Sequence, residues 1–246
     1  MIKERLTHYN NLVGPNGERL ANTFRFQGKP NSDHPQIYRL YDSLLNHHSR
    51  LLRSTNILLS SFLPPEKILE LQLILVSHDV PELVEEDISR LASLTSGDDV
   101  VPAETDEDIA TALLLPDDIP RYRDFEIAQR FLENRGGKLP DNPLSFIARV
   151  LDTIDGNCFA YATLEHYAAK VGGETPDPNL QLMADMSAKY ITMTREKYHT
   201  RFQEIVSLYP INLMGMLVHL HTTEKRKLDK SIGMIQQNGY RAPHIE

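Results

Sequence analysis

The sequence predicts an all-α fold: a helical bundle with additional C-terminal helices. Three observations carry that reading. From residue 36 onward apolar side chains recur at helical rather than alternating spacing. Clusters that stop helices, Leu63-Pro64-Pro65, Arg135-Gly136-Gly137 and Gly172-Gly173, fall between the periodic segments. Strand signals are almost absent, with no alternating run and no Asn-Gly turn between β-branched segments. At 246 residues, 41% of them hydrophobic, the chain can bury the core of one large domain.

Residues 1–35 are polar and turn-rich and are expected to pack on the core, with Arg25 between Phe24 and Phe26. Residues 36–62 read as the first long helix, carrying Ile37, Leu40, Tyr41, Leu44, Leu45, Leu51, Leu52, Ile57 and Leu58. Residues 66–78 read as the next, apolar on most faces and so central in a bundle. A short amphipathic helix is expected over 82–94. Residues 96–120 read as a solvated acidic insertion, with a helix over 109–115. The stretch 82–126 holds fourteen Asp and Glu against three Arg. A helix over 122–134 follows. Asp141-Asn142-Pro143 then offers an N-cap and a first-turn proline for the longest helix, 144–170. Helices over 180–209 and 211–238 complete the chain, the last with a basic, solvated face at 225–230. The expected organisation is a core at 36–171, with 172–246 as a C-terminal extension of the same domain.

The formal net charge of −8 argues against a nucleic-acid strand or an anionic membrane as partner. The single cysteine, Cys158, excludes an internal disulfide and a cysteine-rich zinc site, and suits a reducing compartment. The first residues lack the apolar core of a signal peptide, and no apolar run nears the roughly 20 residues that span a bilayer. A soluble, cytoplasmic protein is the expectation.

The chemistry concentrates at Ser77-His78-Asp79-Val80-Pro81-Glu82. A His-Asp doublet at the end of an apolar helix is hard to explain as packing. Imidazole and carboxylate are ligands for a borderline or hard divalent ion. Pro81 disfavours the helical conformation at the residue before it, so the helix ends or bends there. Upstream, His47-His48 lies within the first long helix. Downstream, Asp152 lies within the longest one, with Asp155 a turn further on. Three helices thus supply His, His-Asp and Asp, in chain order. At the first position His47 competes with His48, and at the last Asp155 competes with Asp152.

This order resembles the HD-domain metal-dependent phosphohydrolases, and among them the branch of bacterial 5′-deoxynucleotidases. The resemblance covers roughly residues 25–170. It rests on Asn46-His47-His48-Ser49, on His78-Asp79-Val80-Pro81-Glu82 with Asp87-Ile88 behind it, and on Val150-Leu151-Asp152-Thr153. The chain departs from the pattern at His47, Glu86 and Thr153, where the family carries Glu, Gly and Lys. The resemblance implies an HD-domain bundle and a divalent ion held by His48, His78, Asp79 and Asp152. Co, Mn, Mg, Fe, Ni and Zn all fit that set. No histidine lies between residues 80 and 151, which favours one ion over two. Glu82 and Asp87 are implied as the catalytic carboxylates, and Arg25 as a phosphate contact. The implied reaction is hydrolysis of a small nucleotide phosphate ester, foremost a deoxynucleoside 5′-monophosphate to nucleoside and phosphate. Removal of triphosphate from a deoxynucleoside triphosphate, or cleavage of another small phosphoester, is the alternative within enzymes. A helical binding module with a structural metal is the alternative outside them. A homodimer is a further expectation from the family.

Overall fold

A computed structural model describes residues 17–23, 43–83, 103–133 and 137–170, with isolated positions at 7–14 and within 187–233; side chains are described to residue 162 of the last long stretch. All elements among the described residues are helical, in keeping with the all-α expectation. They are α1 (Gly17–Asn22), α2 (Leu44–Leu59), α3 (Pro65–Ser77), a 3-10 turn (Pro81–Leu83), α4 (Ala103–Leu113), α5 (Ile119–Leu132) and α6 (Leu144–Lys170). No described helix is long and apolar enough to cross a membrane. The chain divides into two compact units, residues 1–131 with 135–149, and residues 132–134 with 150–246. The division falls inside α6, which runs unbroken through it.

α2 starts at Ser43, whose extended backbone and side-chain oxygen, accepting from the Asn46 amide at 3.3 Å, form an N-cap. The expected helix over 36–62 is therefore α2 in its second half, while its first half lies outside the described residues. Leu44, His47, His48, Leu51, Thr55 and Leu59 are the buried residues of α2, one stripe at helical spacing. α3 begins on Pro65, a residue suited to a first turn because it has no amide to leave unpaired. Its apolar residues from Leu73 to Val76 are all buried, and it packs on α2.

The acidic stretch departs from expectation. The helix expected over 109–115 is longer and earlier, Ala103–Leu113. Its inner side joins the core: Ala110 and Leu114 cluster with Val76, Val80 and Tyr122. Asp118, expected to be solvated, is fully buried. Arg121 explains how, donating to Asp118 Oδ1 at 2.6 Å and to both oxygens of Glu70 on α3 at 2.8 and 3.1 Å. A planar guanidinium fits two carboxylates in this way, and it ties the start of α5 to α3.

α6 has the bounds its sequence predicts. Asn142 Oδ1 accepts from the Leu144 amide at 3.1 Å, and Asp124 on α5 accepts from the amides of Asp141 and Asn142 at 3.1 and 2.9 Å. From Leu144 to Asn157 every residue is buried. Exposed large apolar side chains on the described helices include Ile57 and Val218. Of the C-terminal helices, only short helical fragments fall among the described residues.

Candidate metal centre

The helical period of α2 turns His47 and His48 inward one turn after the N-cap, so two adjacent imidazoles enter the core. α3 delivers the doublet differently. Its last turn closes with the His78 amide donating to the Ile74 carbonyl at 3.2 Å. The chain then tightens into i→i+3 bonds, Val80 to Ser77, Glu82 to Asp79 and Leu83 to Val80, at 3.4, 3.2 and 3.1 Å. Pro81 enforces that change of path. Asp79 is left buried, with its carboxylate turned to the α2 imidazoles.

Asp79 is the hub. Oδ2 lies 2.9 Å from His48 Nε2 and 3.3 Å from His47 Nε2, and Oδ1 lies 2.8 Å from His78 Nε2. The other ring nitrogen of His78, Nδ1, is 2.5 Å from the Leu75 carbonyl oxygen. A carbonyl only accepts, so Nδ1 carries the proton and Nε2 faces the cluster, the usual second contact of a metal-binding histidine. Burial lowers the pKa of His48 despite its hydrogen bond to Asp79, which keeps the imidazole neutral. Burial alone would raise the Asp79 carboxyl. The His78 and His47 imidazoles and the hydrogen bond from His48 outweigh it and hold Asp79 well below the usual carboxylate range. Neutral imidazole and ionised carboxylate are the ligand forms a divalent ion requires.

Asp152, on α6, completes a second grouping. His47, His78 and Asp152 are all buried, and each presents one donor atom within 4.8 Å of the other two. They can hold a metal ion. The donor set, nitrogen with carboxylate oxygen, suits borderline ions such as zinc, manganese, iron or cobalt. His48 Nδ1 is a further buried ring nitrogen with no hydrogen bond among the described residues.

The structure thus brings His48, His78 and Asp79 together, and sets Asp152 beside His47 and His78. Glu82 sits on the 3-10 turn, partly buried, its amide bonded to the Asp79 carbonyl. Asp87 and Arg25 lie outside the described residues. His47 stands in the grouping with Asp152 where the sequence favours His48. The adjacency of the two histidines was the signal, since a helix turning one inward carries its neighbour only about 100° away. Phe125 of α5 also belongs here, its ring centroid 4.3 Å from that of His78. Nothing in the sequence marks Phe125 out from other core aromatics.

Fold and site together define an all-α protein with a buried histidine–aspartate cluster able to bind a metal ion. No protein-family model matches the chain, and neither does any curated protein or solved structure.

Proposed function

We propose that this chain is an HD-type metal-dependent phosphohydrolase that cleaves a nucleotide phosphate ester, foremost a deoxynucleoside 5′-monophosphate. One observation carries the reading: three imidazoles meet one ionised carboxylate within 3.3 Å, in the chain order His, His-Asp, Asp. A packing role for the doublet would not call for so many ligand-type groups at one buried point. A single divalent cation bound there supplies positive charge against the phosphate oxygens and acidifies a water. His78, fixed by the Leu75 carbonyl, and Asp79, held ionised, keep their donor atoms oriented without further rearrangement. Glu82, three residues past Asp79 on the tight turn, takes the proton of the attacking water. The water oxygen forms the new bond to phosphorus as the bond to the 5′ oxygen breaks. Asp87 is the sequence's nominee to protonate that leaving oxygen.

The test is phosphate release from a panel of nucleotides with Co²⁺, Mn²⁺ or Mg²⁺. We expect release with deoxynucleoside monophosphates, and its loss by about a hundredfold or more in Glu82→Ala with bound metal unchanged. No release from any nucleotide with any of the three ions refutes the proposal.

A further inference from the structure

We propose that His47, not His48, is the histidine that α2 gives to the metal ion, and that His48 is a positioning residue whose Nε2–H holds Asp79 in place, an inference that rests on the metal-binding reading of the cluster and not on its phosphate chemistry. This reverses the roles that the family resemblance implies for the two histidines.

The two oxygens of Asp79 meet different kinds of nitrogen. A neutral His78 carries its one ring proton on Nδ1, given to the Leu75 carbonyl, so its Nε2 offers a lone pair. That nitrogen stands 2.8 Å from Asp79 Oδ1, another lone-pair atom. No proton joins the two, and a cation beside both is what makes such an approach favourable. At Oδ2 the situation differs. His48 Nε2 lies 2.9 Å from that oxygen in a buried hydrogen bond. A carboxylate only accepts, so this Nε2 carries the His48 proton and has no lone pair for an ion.

The far side of each ring agrees. A metal-binding histidine donates its other ring N–H to an acceptor, as His78 does to Leu75. His48 Nδ1 is buried and has no hydrogen-bond partner among the described residues. As a ligand through Nε2, His48 would hold an unpaired proton at Nδ1 and take the hydrogen bond from Oδ2 as well. As the donor to Oδ2 it leaves only the Nδ1 lone pair unmet, the smaller loss. His47 is the ring on the ion's side. It packs edge-on against His78, with centroids 6.0 Å apart. Its donor nitrogen belongs to the grouping with His78 and Asp152, which does not include His48. Adjacent positions on a helix differ by about 100°, so α2 aims one imidazole at the ion and the next at the carboxylate that serves it.

The test compares the full chain with His47→Gln, His48→Gln and His48→Leu. Each is titrated with Co²⁺ by calorimetry, and the visible absorption of the bound Co²⁺ is recorded. The wild type binds one ion. His48→Gln keeps an N–H donor for Oδ2, so it holds the ion within about tenfold of wild-type affinity, with the absorption maxima in place. His48→Leu removes the donor, and affinity falls about 10- to 100-fold with the maxima still in place. His47→Gln removes a nitrogen ligand, and it loses the ion or holds it more than about a hundredfold more weakly with shifted maxima. Should His47→Gln or His48→Leu fail to fold, His48→Gln against the wild type decides. Shifted maxima or a lost ion in His48→Gln overturn the assignment, as does wild-type binding with unshifted maxima in His47→Gln. A wild type that binds no ion overturns it together with the metal centre. A chain that binds the ion as described but hydrolyses no nucleotide removes the phosphohydrolase reading and leaves the two histidine roles standing.

Discussion

Asp79 keeps its negative charge at 3% exposure because three imidazoles surround it. Its pKa and that of His48 are both lowered, and both make the fold sensitive to acid. His48 resists a proton that the unfolded chain accepts below its ordinary value of 6.5, so stability is lost as pH falls below that point. Asp79 contributes stability above its ordinary value of 3.8 and loses it as pH falls toward its lower folded value. Below the mid-sixes the wild-type thermal midpoint should fall relative to that of His48→Gln, while the difference between the two stays constant at higher pH. Glu224 has the opposite sign. Buried at 1% exposure, its carboxyl is pushed up to about 8 by loss of solvent. The folded form then holds a proton that the unfolded chain releases from 4.5 upward, so stability is lost as pH rises between 4.5 and about 8. Each pH unit in that window costs about 1.4 kcal/mol. Glu224→Gln should abolish this loss, read as a smaller drop in thermal midpoint between about pH 6 and pH 8. An equal drop in both proteins contradicts the assignment.

At the scale of elements, the start of α6 matters most to the site because α6 carries Asp152. That start is held by Asp124 on α5, whose two oxygens accept from the amides of Asp141 and Asn142. Asp124→Ala removes both bonds and leaves two amides near the helix start to find water. The expected cost is about 2–3 kcal/mol of stability, with weaker metal binding than in wild type, both measurable by chemical unfolding and metal titration. The sequence made this element legible, since Asn142-Pro143 opens the helix and Gly172-Gly173 follows it, and the structure keeps the range 144–170. It made the His78-Asp79 turn legible too, because a proline three residues after an imidazole leaves few helical options. α4 was hidden. Glu104, Asp106, Glu107 and Asp108 give it the composition of a solvated stretch, and only Ala110, Leu113 and Leu114, at i, i+3 and i+4, betray the side that packs on Val76 and Val80.

Across the whole molecule, the candidate centre collects residues from α2, the end of α3 and α6, elements separated by some thirty and seventy residues of chain. Periodicity places each residue on the inner side of its own helix, but it does not set which imidazole meets which carboxylate. That choice depends on how the helices are packed, which is why His47 against Asp152 emerged only in three dimensions. An ion that binds the folded cluster and not the unfolded chain stabilises the fold by mass action, so bound metal is the quantity on which the other predictions depend. The most direct measurement is native mass spectrometry of the purified chain after saturation with Mn²⁺, Co²⁺ or Zn²⁺, set beside Asp79→Asn. One divalent ion per chain in the wild type and none retained in Asp79→Asn is the predicted result. A wild type that retains none of these ions, or an Asp79→Asn variant that holds metal as well as the wild type, would contradict the assignment of the cluster as a metal centre.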